Sequence, residues 1–393
     1  MKKIFDNTEV ALALKSDLEL TRAHFLFEMI KKALFVKIGA AVTNFALKAK
    51  LPVKKLIRAT VFDHFCGGIN EEDCRYVIKK MHTKNVHTVL DYSVECKEEE
   101  VQFDYAVQKI LKTLDFAKED VAIPFVVFKP TALGRFKIYQ KLTEGTALND
   151  VEKAEWVIIK ERYKIVCKTA YTYNIPVLID AEESWMQDAS DALIEEMMEK
   201  YNKNEVIIFN TLQAYRWDRL EYLKGLHQSA RAKGFKIGMK LVRGAYMEKE
   251  RERALKNAYK DPICKDKNTT DALYNEVLNY MLDNAKDMHL FAGTHNEKSS
   301  YLLMDLMKKK GLLENDKRIW FGQLYGMSDN ISYNLAEQGY NVAKYLPFGP
   351  VKDVMPYLIR RAEENTSVAG QTSRELAIIK NEKRRRKNKK PLV

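Results

Sequence analysis

The chain has 393 residues, of which 46% are hydrophobic and 10% aromatic, so it can bury a substantial core. Its five cysteines show no CxxC or Cys/His spacing, and we predict reduced thiols in a cytosolic compartment with no structural zinc. The net charge of +12 is concentrated at one end: 371–393 carries nine Lys/Arg and two Asp/Glu, a net of +7, which leaves +5 for the other 370 residues.

The first 80 residues are predicted to form helices. Apolar residues recur there at three- and four-residue spacing, and no stretch alternates like a strand. The start, "MKKIFDNTEVALALKSD", lacks the apolar segment of a secretory signal and is too acidic for a mitochondrial transit peptide. No window approaches the ~20 apolar residues of a membrane-spanning helix. We therefore expect a cytoplasmic protein.

Eight short apolar runs follow, separated in most cases by 20 or more residues with helical periodicity. The runs are "VHTVLDY", "IPFVVFK", "IPVLIDA", "EVIIFNT", "FKIGMKLV", "MHLFAGT", "RIWFGQL" and "VAKYLPF". Strands buried on both faces and alternating with helices indicate a parallel (βα)8 TIM barrel. An open doubly wound sheet is the competitor, but no GxGxxG turn supports it. We predict an N-terminal helical arm (1–80), a barrel (81–370) and a basic tail (371–393).

Polar side chains lie at or just after the predicted strand ends, where the functional loops of a barrel converge. They are Lys129, Asp180, Glu182, Gln213, Lys240, Arg243, Tyr246, His295, Asn296, Gln323, Tyr325 and Tyr345. Motifs of serine hydrolases, zincins and P-loop proteins are absent. We expect no metal, and His295 fits a structural or cofactor-binding histidine better than a metal ligand. Asp180 and Glu182 could form a glycosidase pair, but residues two apart on an extended segment need not converge.

The segment "PYLIRRAEENTSV" places Tyr357, Arg360, Arg361 and Glu364 at i, i+3, i+4 and i+7, so all four share one helix face. An aromatic ring, two guanidiniums and a carboxylate on one face suit a small anion. Together with the strand-end cations, they indicate an enzyme for a small carboxylate with an anionic cofactor.

Several motifs together resemble the proline dehydrogenase family, in that family's order and over most of 86–368. They are "LDYSVE", "FKPTALGR", "IDAEE", "IFNTLQAY", "KLVRGAYMEKERERA", "TTDALYN", "THNE", "FGQLYGM" and "YLPFGPVKDVMPYLIRRAEENTSV", with a weaker match at "FDHFCGG". The chain is more similar to the monofunctional, eukaryote-like branch, because no aldehyde dehydrogenase domain follows.

The resemblance implies an α/β fold, a distorted (βα)8 barrel whose last helix lies over the barrel mouth. It implies FAD-dependent oxidation of L-proline to Δ1-pyrroline-5-carboxylate by hydride transfer to flavin N5, with electrons passed to a membrane quinone. Lys129, Asp180 and Tyr246 are the candidate catalytic residues. The substrate-binding residues implied are Lys129, Asp180, Tyr246, Leu324, Tyr345, Tyr357, Arg360 and Arg361. The FAD-binding residues implied are Gln213, Lys240, Arg243, Lys267, Thr270, His295, Asn296 and Glu364.

Two features depart from a simple transfer of the family pattern. Many bacterial members carry arginine where this chain has Lys240, near the flavin N5 edge, so the hydrogen bond to the flavin differs. Relatives that oxidise hydroxyproline tend to have a smaller residue in place of Tyr345, whose presence here favours L-proline. Hydroxyproline dehydrogenase, an FAD-free barrel enzyme and a catalytically idle binding protein stay open as alternatives.

The basic tail, "KNEKRRRKNKKPLV", admits three interpretations. It is a solvated, disordered end, or it attaches the protein weakly to the anionic inner face of a bacterial membrane, at about 1 kcal/mol per basic residue. Nucleic-acid binding is the weakest interpretation, because no aromatic side chain is interleaved with the charges.

Overall fold

The computed structural model describes residues 3–31, 58–94, 98–367 and 371–389, and of residues 59, 362–367 and 371 it describes the backbone alone. Its centre is a closed barrel of eight parallel strands in sequential order. The strands are β1 (Val86–Tyr92), β2 (Phe125–Phe128), β3 (Val177–Ile179), β4 (Ile208–Gln213), β5 (Ile237–Val242), β6 (Met288–Gly293), β7 (Ile319–Leu324) and β8 (Val342–Phe348). Each coincides with or lies within two residues of a predicted run, so the predicted (βα)8 fold is confirmed.

The strands form because their sequences are apolar on both faces. Every residue of β4 and of β8 is buried, as expected for strands covered by helices outside and by packed side chains inside. β1 pairs with β8 over its full length, from Val86 opposite Val342 to Tyr92 opposite Phe348. This pairing places the ends of β1 and β8 at the same level.

An aromatic cluster fills the interior near the beginnings of the strands. The ring of Phe125 in β2 lies 5.8, 5.2 and 5.1 Å from those of Phe209, Phe291 and Trp320, edge to face in each case. Because β2 does not neighbour β4, β6 or β7, these contacts must cross the barrel interior. The interior near the N-terminal ends of these strands is thus filled by rings, which leaves the C-terminal end for functional groups.

The helices follow the strands as the periodicity predicts. They are α1 (Thr8–Ala11), α2 (Asp17–Ile30), α3 (Asp63–Phe65), α4 (Glu71–His82), α5 (Glu100–Lys118), α6 (Phe136–Thr143), α7 (Asp150–Tyr173), α8 (Ser184–Tyr201), α9 (Arg219–Lys233), α10 (Met247–Lys256), α11 (Lys267–Asp283), α12 (Glu297–Lys309), α13 (Asp329–Glu337), α14 (Met355–Ser367) and α15 (Gln371–Lys389). Asn149, at the start of α7, forms a capping box with Glu152, which fixes where that helix begins. No helix within the described ranges is long and apolar enough to span a bilayer.

The chain divides into two compact units. Unit 1 combines residues up to 95 with those from 323 onward, and unit 2 is the continuous stretch 96–322. The boundaries that we drew at residues 80 and 370 stay predictions.

The basic tail differs from one of its predicted forms. A solvated, disordered end is wrong for Gln371–Lys389, which forms the helix α15. Its apolar residues Leu376, Ile378 and Ile379 are buried in a cluster with residues of α2 and the α1 region, among them Leu20 and Phe27. The helix that carries the arginine pair, α14, is therefore not the last helix of the chain.

Most cations of α15 are also engaged inside unit 1. Ion pairs join Arg374 with Asp6, Lys380 with Glu28, Arg385 with Glu9 and Glu382, Arg386 with Asp17 and Glu382, and Lys389 with Glu9. The charge count of the tail therefore overstates the charge it can offer to a partner.

Candidate active site

The C-terminal ends of β3 and β5 bring a carboxylate and an ammonium together in unit 2. Asp180, the residue after β3, accepts a short hydrogen bond from the Lys240 ammonium in β5. The Lys240 side chain is 6% exposed and that of Asp180 20%. The two charges stabilise each other at this site, because burying either charge without its partner would carry a large free-energy cost.

The second carboxylate of the same segment has a different partner. Glu182 accepts hydrogen bonds from the backbone N–H of Thr131, at 3.0 Å, and from its hydroxyl, at 2.8 Å. Burial raises the pKa of Glu182 to about 7, although the Lys129 charge and the Thr131 bonds act to lower it. Asp180 and Glu182 therefore do not converge on one point, which argues against a glycosidase pair.

Two predicted FAD-binding cations meet at a shared carboxylate. Asp271 in α11 accepts a hydrogen bond from Arg243 at 2.6 Å and another from Lys267 at 2.5 Å. Burial acts to raise the pKa of Asp271, but these two cations outweigh it and lower the pKa.

The remaining contacts of Arg243 fix the plane of its guanidinium. It donates to the hydroxyls of Thr294, at 2.8 Å, and Ser299, at 3.0 Å, and lies 4.3 Å from the centre of the Tyr274 ring. This arrangement holds a delocalised cation just beyond the end of β5.

The other predicted residues of unit 2 lie at the same ends of their strands. Gln213 closes β4 and is buried. Thr270 is buried in the first turn of α11. His295 is half-buried after β6, and Asn296 caps α12 by accepting a hydrogen bond from the backbone N–H of Ser299.

Lys129 and Tyr246 are half-buried at loop positions. Lys129 directly follows β2, and Tyr246 precedes α10, with the Lys249 ammonium 5.7 Å from the centre of its ring. Gly244 has φ +131, and a Cβ there would lie 2.4 Å from the Tyr215 ring. Only glycine allows this approach of the chain between Arg243 and Tyr246.

In unit 1, α14 presents the arginine pair. The Arg361 guanidinium lies 5.2 Å from the centre of the Tyr357 ring, as predicted for neighbours at i and i+4, and Arg360 is half-buried. The side chain of Glu364 lies outside the described residues.

The apolar face of α14 packs against residues that follow β1 and β7. Tyr357, Val354 and Leu358 share a cluster with Met327, and Leu324 packs against it. Tyr345 is buried in β8, and its carbonyl accepts a hydrogen bond from the Tyr325 N–H. The structure thus brings two of the predicted pocket residues, Leu324 and Tyr357, together.

Thr131 and Asp271 were not among the predicted residues, but Thr131 donates hydrogen bonds to Glu182, and Asp271 accepts them from Arg243 and Lys267. Thr131 lies two residues after Lys129 in "FKPTALGR", and Asp271 lies four residues after Lys267 on one helix face. These spacings were the available signals. Within the part of the chain that the structure describes, no group of three or more His, Cys, Asp or Glu residues is placed to hold a metal ion.

Comparison with known proteins gives a match to one family model and to several relatives. The family model "Proline dehydrogenase" matches residues 74–374. The chain is 34% identical over 323 residues to "Carbapenem antibiotics biosynthesis protein CarD" of Pectobacterium carotovorum, covering 82% of this chain and 83% of CarD. It is 38% identical over 231 residues to human "Proline dehydrogenase 1, mitochondrial", covering 58% of this chain and 38% of the human protein.

A solved structure shares the fold. The structure of proline utilization A (PutA) from Bdellovibrio bacteriovorus inactivated by N-propargylglycine matches with a TM-score of 0.71 at 23% identity. The match covers 93% of this chain and 36% of PutA. The chain therefore spans little more than a third of the length of that structure and of the human relative.

Proposed function

The chain belongs to the proline dehydrogenase family, a family of oxidoreductases, and on that premise we propose that it oxidises L-proline to Δ1-pyrroline-5-carboxylate with FAD as cofactor. The observation that carries this proposal is the buried Asp180–Lys240 pair at the C-terminal ends of β3 and β5. A buried, oriented ammonium can serve both an anionic substrate and an electron-rich cofactor ring.

The donor set of unit 2 fits FAD. Arg243 and Lys267 are cations suited to the diphosphate of FAD. Asp271 accepts hydrogen bonds from both of them and would compete with the diphosphate for these two cations. Gln213, Thr270 and Asn296 supply neutral polar groups, and His295 supplies an imidazole, of the kind that bind ring edges and sugar hydroxyls. In unit 1, Glu364 is the predicted contact. Bound FAD would accept a hydride from C5 of proline and deliver the electrons to an external acceptor.

The protein's own contribution is binding and electrostatics. Arg360 and Arg361 on α14 would bind the proline carboxylate through their planar donors, and Lys129 would add a third positive charge. A nearby positive charge lowers the pKa of an amine, so this set of cations would favour the neutral amine that hydride loss requires. Tyr246, Tyr345, Tyr357 and Leu324 would supply the apolar contacts for the pyrrolidine ring.

We also infer that a membrane quinone receives the electrons, which would require contact with a bilayer. Support from the tail is narrower than its composition suggests, because many of its cations pair with Asp and Glu inside unit 1. Among the described residues of α15, Arg384 and Lys387 are exposed cations that would be placed to contact an anionic surface.

The deciding measurement is an anaerobic absorbance spectrum of the purified protein between about 300 and 550 nm, before and after L-proline is added. We expect a flavin spectrum that proline bleaches. A protein that does not retain added FAD would contradict the proposal. A flavin spectrum that responds to trans-4-hydroxy-L-proline and not to L-proline would identify hydroxyproline as the substrate.

The similarity to CarD favours a second candidate substrate class. CarD is similar over most of both chains and is named for carbapenem biosynthesis. A five-membered cyclic imino acid other than proline is therefore the alternative. Comparing initial bleaching rates for L-proline and for ring-substituted prolines separates the two.

A further inference from the structure

The loop that leaves β2 is bound at its root by one carboxylate. Lys129, Pro130 and Thr131 follow the strand directly, and Glu182 accepts both the N–H and the hydroxyl of Thr131. The Tyr139 hydroxyl donates to the Pro130 carbonyl at 3.0 Å and also holds this short turn. The backbone around Lys129 is therefore fixed by two side chains outside its own loop.

This carboxylate is in an unfavourable place for a charge. Glu182 is 6% exposed, and its hydrogen bonds come from a neutral residue. Burial raises its pKa to about 7, which shows that those bonds and the Lys129 charge together do not offset the loss of water. Glu182 therefore adds little stability as an ion, although both of its oxygens accept hydrogen bonds from Thr131.

We propose that Glu182 is a positioning residue for Lys129: by binding both donors of Thr131, it holds the loop after β2 so that the Lys129 ammonium reaches the substrate carboxylate. This inference rests on the proposed function. It assigns Glu182 no direct part in the chemical step, so its loss should raise KM and Kd far more than it lowers turnover at saturation.

The adjacent residue provides a matched control. Glu183 is 7% exposed, but it accepts a hydrogen bond from Lys249, whose side chain is 65% exposed. Its hydrogen-bond partner lies on α10 and not in the β2 loop. Glu183→Gln therefore changes an equally buried carboxylate of the same segment without touching Thr131.

The test compares wild type, Glu182→Ala, Glu182→Gln, Thr131→Val, the double variant Glu182→Ala/Thr131→Val and Glu183→Gln, all loaded with FAD. KM and kcat for L-proline are measured with a dye acceptor. Calorimetry gives Kd for tetrahydrofuran-2-carboxylate, which keeps the ring and carboxylate of proline but has an ether oxygen in place of the amine. Flavin content and melting temperature identify variants that fail to fold, and Thr131→Val removes one bond of the pair without emptying the Glu182 site.

We expect Glu182→Ala to raise KM and Kd by roughly 10- to 100-fold with kcat within about threefold, since both Thr131 bonds are lost. Thr131→Val should raise them by about three- to tenfold. Glu182→Gln should remain within about threefold of wild type, because its amide oxygen still accepts the Thr131 N–H. The double variant Glu182→Ala/Thr131→Val should be no worse than Glu182→Ala.

Three results would overturn the inference: KM and Kd of Glu182→Ala within about twofold of wild type, additive effects in the double variant, or Glu183→Gln matching Glu182→Ala. Failure of the proposed function looks different. Wild type would then neither bind tetrahydrofuran-2-carboxylate nor oxidise proline, and this inference would fail with it.

Discussion

Glu375 in α15 accepts a 2.6 Å hydrogen bond from the backbone N–H of Ser328, which precedes α13. The neighbouring residue, Asp329, belongs to a buried ion cluster. Its carboxylate pairs with the Lys344 ammonium at 2.8 Å and with the Lys15 ammonium at 3.2 Å. One carboxylate of the supposed tail is thus anchored to the loop that follows β7. The consequences of this attachment and of the site geometry can be measured.

Glu375 should make stability depend on pH. Burial, followed by repulsion from Asp329, raises its pKa from the ordinary 4.5 to about 7. Between about pH 4.5 and pH 7 the folded protein therefore keeps a proton on Glu375 that the unfolded chain has lost. The stabilisation that comes from this proton is full below about pH 4.5 and is lost as pH rises through 7. Glu375→Gln should gain stability relative to wild type by on the order of 1–3 kcal/mol between pH 5 and pH 8.

Urea unfolding at several pH values measures this difference. The exposed Glu314→Gln is the control and should follow wild type throughout. A Glu375→Gln variant whose stability runs parallel to wild type from pH 5 to pH 8 would show that this carboxyl does not titrate as described.

Breaking the Asp180–Lys240 pair should cost more than removing both of its members. Asp180→Asn leaves the Lys240 ammonium buried without its carboxylate, which should destabilise the flavin-free protein by about 1–3 kcal/mol. Asp180→Asn/Lys240→Met should recover part of that loss, as read from denaturant midpoints. If the two substitutions are instead strictly additive, the ion pair is not coupled energetically.

Arg361 should require the guanidinium shape and not only its charge. Arg361→Lys keeps the charge but loses the planar donors stacked near Tyr357, and it should lower kcat/KM for L-proline by about 10- to 100-fold. Steady-state kinetics with a dye acceptor measure this. Arg384→Lys, on the exposed side of α15, is the matched control, and an equal effect in both variants would remove Arg361 from the substrate site.

Substitutions on the buried face of helix α15 should destabilise the protein, whereas substitutions on its exposed face should not. Leu376→Ala should destabilise the protein by about 2–4 kcal/mol, because Leu376 is 3% exposed against α2. Arg384→Glu/Lys387→Glu should leave stability within about 0.5 kcal/mol of wild type. Truncation at residue 370 would mix both effects, so the paired substitutions are the sharper test of the tail.

The same pair of variants tests membrane contact. Co-sedimentation with vesicles of anionic lipid should be reduced for Arg384→Glu/Lys387→Glu, while neutral vesicles should retain neither protein. Equal sedimentation of wild type and the double variant on anionic vesicles would place any membrane contact elsewhere.

The sequence predicted the barrel well because its strands are buried on both faces. A continuous apolar run such as "EVIIFNT" reports burial directly, and the regular spacing of eight such runs leaves few alternative folds. The polar residues at strand ends were predictable for the same reason, since the fold brings those ends together. The contact of Tyr357 with Arg361 followed from helix geometry alone.

The contacts that the sequence did not predict join residues that are far apart in the chain. Arg243 meets Asp271 from a different element, and nothing local marks that carboxylate as its partner. The tail looked like a charged, solvated end because composition counts cations without their partners. Its acidic partners, among them Asp6, Glu9 and Asp17, lie at the other end of the chain.

That pairing of the two ends has a consequence for synthesis on the ribosome. Thr8 and Glu382, joined by a hydrogen bond, are 374 residues apart, so unit 1 is incomplete until nearly all of the described chain has been translated. Unit 2 is one uninterrupted stretch and can begin to fold earlier. Until its last described helix has been translated, the α2 side chains Leu20 and Phe27 lack the apolar residues of α15 that cover them, so unit 1 completes its core after unit 2 can begin to fold.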